Sequence, residues 1–197
     1  MSGLLNSSDT PWVRLLLLAF FLPLLGGCPT SNSESLSGEQ LQDLVNDSYL
    51  SPQLRRIELL PMVSVQLYLE TPRLTVQADD KPLRFELNGR FDADFLGNNV
   101  TETIPINIIG TASLVYRPDD HGFYFDQMEL SEARIDLELA LVQALMMDHL
   151  KKALHDELLL LPIIPLRENQ ALYQKLDNRA ALVKVKGGRV VIDWSSR

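Results

Sequence analysis

Leu83-Arg84-Phe85-Glu86-Leu87-Asn88-Gly89-Arg90-Phe91-Asp92-Ala93-Asp94-Phe95 decides the fold class. Apolar residues at 83, 85, 87, 91, 93 and 95 alternate with charged or amide residues, and a period of two puts one set on each face of an extended strand. A helix would scatter both sets around its circumference. The segment is therefore a long strand with one dry and one wet face. The same period runs on either side of it: Val63, Val65, Leu67 and Leu69 alternate with Ser64, Gln66, Tyr68 and Glu70, and Leu74 and Val76 follow. Downstream, Ile104, Ile106, Ile108, Gly110, Ala112, Leu114 and Tyr116 form another long strand, with Pro105 predicting an edge or bulge at its start. Asp79-Asp80-Lys81-Pro82, Gly97-Asn98-Asn99 and Pro118-Asp119-Asp120-His121-Gly122 are turn clusters too short for helical crossovers. From Met62 to about Leu137 the chain reads as an antiparallel meander.

Helical spacing brackets the strands. Ser37-Gly38-Glu39-Gln40 has the spacing of a capping box, and Leu41, Leu44, Val45 and Tyr49 follow at helical intervals up to the Ser51-Pro52 break. From Leu139 to Leu161, Val142, Met146, Leu150, Ala153, Leu154, Leu158 and Leu161 form one broad stripe, and Leu141, Leu145 and Leu159 widen it. A helix apolar over so much of its circumference needs a wrapper, and the one-sided sheet is the wrapper at hand. Pro162 and Pro165 end that helix, and a polar helix is expected around Asn169 to Arg179. The chain closes on a hairpin, Leu182 to Lys186 and Arg189 to Trp194 about Gly187-Gly188. The expected fold is α+β: a long, strongly curved antiparallel meander around a long amphipathic helix of the C-terminal half, with a short N-terminal helix and a C-terminal hairpin.

The N-terminal segment follows another logic. Leu15 to Leu25 is an apolar run about half as long as the ~20 residues a transmembrane helix needs. It follows Arg14 and ends in Leu25-Gly26-Gly27-Cys28, which resembles the lipobox of a bacterial lipoprotein signal peptide. There, small residues admit the peptidase and the thiol takes a diacylglyceryl group, giving an anchor of palmitate-type acyl chains. Cys28 is the one cysteine of the chain, and the Pro29-Thr30-Ser31-Asn32-Ser33 that follows cannot build a core around it. The expected organisation is a signal peptide over 1–27, a flexible tether over 28–36 and one domain over 37–197.

Charge and motif counts exclude several classes. A formal net charge of −8 without a basic stripe argues against nucleic acid and against electrostatic docking on an anionic leaflet. Membrane association then falls to the acyl chains at Cys28. Asp92-Ala93-Asp94-Phe95-Leu96-Gly97-Asn98 has acids at positions one and three of a calcium loop and Gly at six. Leu96 takes a ligand position, however, and Thr103 stands where the closing Glu belongs. His149 and His155, six residues apart on a helix, point about 120° away from one another. With His121 in a turn, the set has no metal-ligand spacing. No Gly-x-Ser-x-Gly elbow or phosphate-cradling loop occurs. The chain reads as a non-enzyme with no cofactor.

Leu36-Ser37-Gly38-Glu39-Gln40-Leu41 opening a short helix, the run of long strands, the helix Leu145 to Leu161, Pro165-Leu166-Arg167-Glu168 and the closing Gly188-Arg189-Val190-Val191-Ile192 resemble the YceB-like lipoproteins of Gram-negative bacteria, a domain of unknown function. That family is similar in fold to the tubular lipid-binding superfamily, in which a curved antiparallel sheet wraps a long helix and leaves an apolar lumen. The resemblance implies no catalytic residues. It implies an address at the periplasmic face of the outer membrane, because Pro29 rather than Asp follows the modified cysteine. It also implies an acyl chain or other apolar ligand between sheet and helix. Phe85, Phe91 and Phe95 on the strand side and Met146, Met147 and Leu150 on the helix side are the candidate lining. The alternative is a solid core, in which the same residues pack against each other and the domain serves as an envelope interaction or assembly module. Cys28→Ser is expected to abolish incorporation of labelled fatty acid, and equal labelling of variant and wild type would refute lipidation at this residue.

Overall fold

The computed structural model describes residues 32–60, 63–78, 81–95, 98–99, 103–135 and 140–195; for 59, 60, 63, 93–95, 98, 99, 135 and 140–147 it describes the backbone and not the side chain. The segment 1–27 read as a signal peptide, Cys28 and the turn residues Asp79, Asp80 and Gly97 lie outside the described residues. Among those described, the fold is α+β and mostly antiparallel sheet. Strands β2 (Gln53–Leu60), β3 (Val63–Leu69), β5 (Leu83–Phe95), β7 (Ile104–Arg117), β8 (Gly122–Ile135) and β9 (Pro162–Pro165) lie side by side in that order. The short β4 (Arg73–Thr75) and β6 (Asn98–Asn99) pair with β5. Every pairing is antiparallel, so the meander read from the alternation is the observed topology. Pro105 pairs Arg90 of β5 at the start of β7, ahead of Ile106, where pairing with β8 begins. Its missing N–H therefore interrupts no ladder on that side.

The sheet curls, and bulges account for much of the curl. Ile109 opposes Glu132 while Gly110 opposes Leu130, so Ser131 is an extra residue of β8; a second slip follows between Thr111 and Ser113, where Gln127 takes a left-handed φ of 48°. An extra residue on one strand bends it and tightens the local twist. At the first bulge Phe85 lies opposite Gly110. A Cβ built on Gly110 would stand 2.5 Å from the Glu129 carbonyl oxygen and 2.7 Å from ring carbons of Phe85, so this position has room for an aromatic neighbour only without a side chain.

Helix α1 (Gly38–Ser48) has the expected capping box: Gln40 N–H donates to Ser37 Oγ at 3.2 Å, and Ser37 N–H donates to Gln40 Oε1 at 2.9 Å. Helix α2 (Ala140–Leu160) is the long helix, ending before Pro162. It packs on β8 and reaches β2. In the sheet order β2 and β8 are separated by three strands, about 19 Å on a flat sheet at ~4.8 Å per strand. One helix about 10 Å across touches both strands only when the sheet curls. The closing hairpin is β10 (Ala181–Lys186) and β11 (Arg189–Trp194), turning through Gly187 and Gly188 at φ +57° and +71°.

Four expectations are corrected. The tether over 28–36 does not extend to Leu36: Asn32–Leu36 is a strand, β1, paired with β11 from Asn32↔Trp194 to Leu36↔Val190. Its backbone groups would otherwise be unpaired beside β11, and Arg189 secures it by donating from Nε to Ser35 Oγ at 2.8 Å. The ordered domain thus begins at 32, not 37. Gln53–Leu60, placed in no strand, is edge strand β2, where Arg55 takes an inward position and hides the alternation. Pro162–Pro165 is strand β9, short and at the sheet edge, where prolines are tolerated. The polar helix over 169–179 is one short helix, α3 (Ala171–Leu176), ending in left-handed Asp177 and Asn178. Gly110→Ala is expected to cost about 1–3 kcal/mol in urea unfolding, because the added methyl meets backbone on one side and a packed ring on the other.

Candidate functional site

The dry face of each long strand converges on one apolar surface. The inward rows are Val65, Leu67 and Leu69 on β3, Leu83, Phe85, Leu87 and Phe91 on β5, Ile106, Ile108, Ala112 and Leu114 on β7, and Phe123, Phe125 and Met128 on β8, all buried. Cross-strand register aligns them: Leu67 opposes Phe91, Leu87 opposes Ile108, and Phe91 opposes Ile104. From the helix, Leu150, Leu154, Leu158 and, just past its end, Leu161 are buried at helical spacing, whereas Asp148, His149, Lys151, Lys152 and Asp156 are exposed. All belong to one continuous core.

Polar contacts fix where the helix lies. Arg55 of β2 pairs with Glu157 at 3.3 Å. Arg117, at the end of β7, donates to the Leu159 carbonyl at 3.2 Å, and its guanidinium lies 4.0 Å from the Tyr124 ring centre. His155 Nε2 lies 3.2 Å from the Met128 carbonyl, which accepts when that nitrogen carries the proton. The Arg117 contact brings the C-terminal end of α2 to the end of β7 that turns into β8, while Arg55, which holds Glu157, stands across the sheet in the row of Leu67, Phe91 and Ile104. The N-terminal end of α2 lies toward Ile104 and Ile135. Arg55, Arg117 and His155 were not legible as a set, because they come from three distant segments.

The predicted lining divides along this axis. Phe85 is fully buried and stacks on Phe125 with ring centres 4.6 Å apart. Phe91 and Leu150, both 3% exposed, belong to the same core nearer the far end. Backbone register places position 95 opposite Val63, beyond Phe91; the side chains of Phe95, Met146 and Met147 lie outside the described residues. The structure thus brings Phe85, Phe91 and Leu150 into one cluster.

The three histidines stand in separate places. His149 is exposed, His155 faces Met128, and the ring of His121 in the β7–β8 turn lies tilted against that of Tyr173, centres 4.6 Å apart. Among the described residues no group of three potential metal ligands occurs. The hydroxyls of Tyr49 and Tyr116 are buried and have no hydrogen-bond partner among the described residues. Burial pushes the pKa of Tyr49 well above the usual phenol range, partly opposed by Arg55. Burial also raises Tyr116, with Tyr173 and Asp177 adding to it, and Tyr124, whose hydroxyl donates to Asp120 at 3.1 Å. Outside the core, a groove of about 380 Å³ lies where β10 meets β7, lined by Lys81, Thr111, Ser113, Gln127, Glu129 and Lys184 over an apolar floor. The groove depends on the left-handed turn at Gln127, which no sequence signal announces.

A scan against known protein families matches nothing, and no curated protein matches the chain. Among solved structures, a crystal structure of lipopolysaccharide binding protein aligns with 84% of this chain and 49% of its own length, at 8% identity and a TM-score of 0.34. The chain spans about half the length of that neighbour, and the likeness is too slight to carry an argument.

The three raised tyrosines predict a pH response. Each phenol stays neutral to higher pH in the folded protein than in the unfolded chain, so its stabilisation is complete below about pH 10 and is lost as pH rises further. Tm is expected to fall from about pH 10 upward, in step with late phenolate absorbance at 295 nm. A flat Tm through that window would contradict the burial of these hydroxyls.

Proposed function

We propose that the chain is a periplasmic lipoprotein of the outer membrane, anchored through Cys28 and related to the YceB-like lipoproteins, whose curled sheet wraps α2 and takes an acyl chain or other apolar ligand. The observation that carries this reading is the unbroken apolar inner face, from β3 across to β8, against a helix that touches both β2 and β8. That arrangement sets a concave apolar surface against an apolar helix face, the ordinary make-up of a lipid site. The ligand belongs at the end of the sheet marked by Phe91, Ile104 and the N-terminal half of α2. From the middle of the sheet onward, Phe85, Leu87 and Ile108 and, on the helix, Leu154 and Leu158 show no exposed surface and already fill the space between strands and helix. The protein binds its ligand without chemical change, and no cofactor takes part.

That filled half favours a second reading, a solid module whose surface rather than interior meets a partner. The two differ in measurable ways. Under the ligand reading, native mass spectrometry of the Cys28→Ser protein from the periplasm shows bound lipid, and the delipidated protein binds a fluorescent fatty acid saturably. Ala153→Trp, half-buried between Leu150 and Leu154, is expected to abolish probe binding with the fold retained. Leu154→Ala is expected to cost the ~2–5 kcal/mol of a core truncation, and Leu150→Ala distinctly less in the ligand-loaded protein. Equal full costs at both positions, with no saturable probe binding, would favour the solid module.

A further inference from the structure

The strand status of Asn32–Leu36 shortens the leash, and with it fixes which end of the domain meets the membrane. Three residues, Pro29 to Ser31, separate Cys28 from Asn32. Four residue steps span at most about 14 Å. Asn32 is therefore held close to any bilayer that receives the acyl chains.

The position of β1 in the domain follows from its contacts. Lys175 of α3 bonds to Glu34, and the ring of Tyr173 of the same helix lies tilted against that of His121 in the β7–β8 turn. The Leu166 N–H donates to the His121 carbonyl at 2.9 Å, tying the next segment to that turn as well. The strand β1 thus lies at the turn end, where Arg117 also holds the last residues of α2. The ligand end is the opposite one. From Arg117 back to Ile104, a strand of 14 residues covers about 43 Å at ~3.3 Å per residue. The 21 residues of α2 run about 30 Å along the same axis.

We infer that the anchoring leaflet is apposed to the turn end of the domain, beside β1, α3 and Trp194, and that the apolar ligand end projects away from it. This rests on the acylation of Cys28 proposed above. The leaflet-facing surface carries Glu34, Lys175 and Arg179 beside Asn32, around a groove of about 350 Å³, with Lys175 paired to Glu34. The formal net charge of −8 opposes a domain lying flat on an anionic surface. Ligand entering at the far end is consequently out of direct reach of the leaflet that anchors the protein.

The test uses full-length, acylated protein in vesicles of phosphatidylethanolamine and phosphatidylglycerol. The thiol of Cys28 being acylated, a single fluorophore is placed through Asn178→Cys beside α3, or through Thr103→Cys at the start of β7; both positions are exposed. Nitroxide lipids labelled at the headgroup are expected to quench most of the signal at position 178 and none of it at 103. Equal quenching, or stronger quenching at 103, in protein that floats with the vesicles would overturn the orientation while leaving the anchor intact. Protein that fails to float would overturn the anchoring through Cys28 and the orientation with it.

Discussion

The burial of one leucine stripe, Leu150, Leu154, Leu158 and Leu161, in one core with the dry face of the strands is the constraint on which the rest of the structure depends. A single helix presents a narrow apolar stripe, and a flat sheet of six strands would leave much of its own dry face in water. Curling the sheet reconciles the two widths. The bulges at Ser131 and near Gln127, and the bare Gly110 under the Phe85 ring, are the local features that permit the curl. Each is unfavourable or neutral taken alone and is held by the apolar area the curl removes from water.

Polar groups then set the helix along its axis. Arg55 with Glu157, Arg117 with the Leu159 carbonyl and His155 with the Met128 carbonyl tie α2 to β2, β7 and β8 over its C-terminal half. In that half Leu150, Leu154 and Leu158 are buried. Packing is complete around Phe85, Leu154 and Leu158, and the proposed ligand end lies beyond Phe91 and Leu150. The terminal hairpin with β1 adds a second small sheet, the end that the proposed anchor would hold.

How much of this was legible in the sequence depended on what each segment packs against. The strands β5 and β7 were readable because one face of each is buried along most of its length, so the alternation from Leu83 and from Ile104 is clean. The capping box at Ser37 and Gln40 was readable because it is local chemistry. Edge elements were not. In β2 the inward position of Arg55 is satisfied by Glu157 from a helix a hundred residues away, and β1 is a polar segment made into a strand by the partner it finds in β11. The bulges depend on tertiary fit rather than on residue type, and Gln127 carries a left-handed backbone without a glycine. Of the proposed lining, Phe85, Phe91 and Leu150 were legible as apolar positions, but the stacking of Phe85 on Phe125 that makes it part of the packed half was not.

The central claim is that one domain holds a packed half and a ligand-binding half along a single helix. Methyl-labelled leucine and methionine spectra, followed while a fatty acid is added to delipidated protein, test it most directly. The account predicts saturable shifts in the methyls of Met146, Met147 and Leu150, with Leu154 and Leu158 unmoved. Methyl resonances that stay in place at all five positions would contradict it.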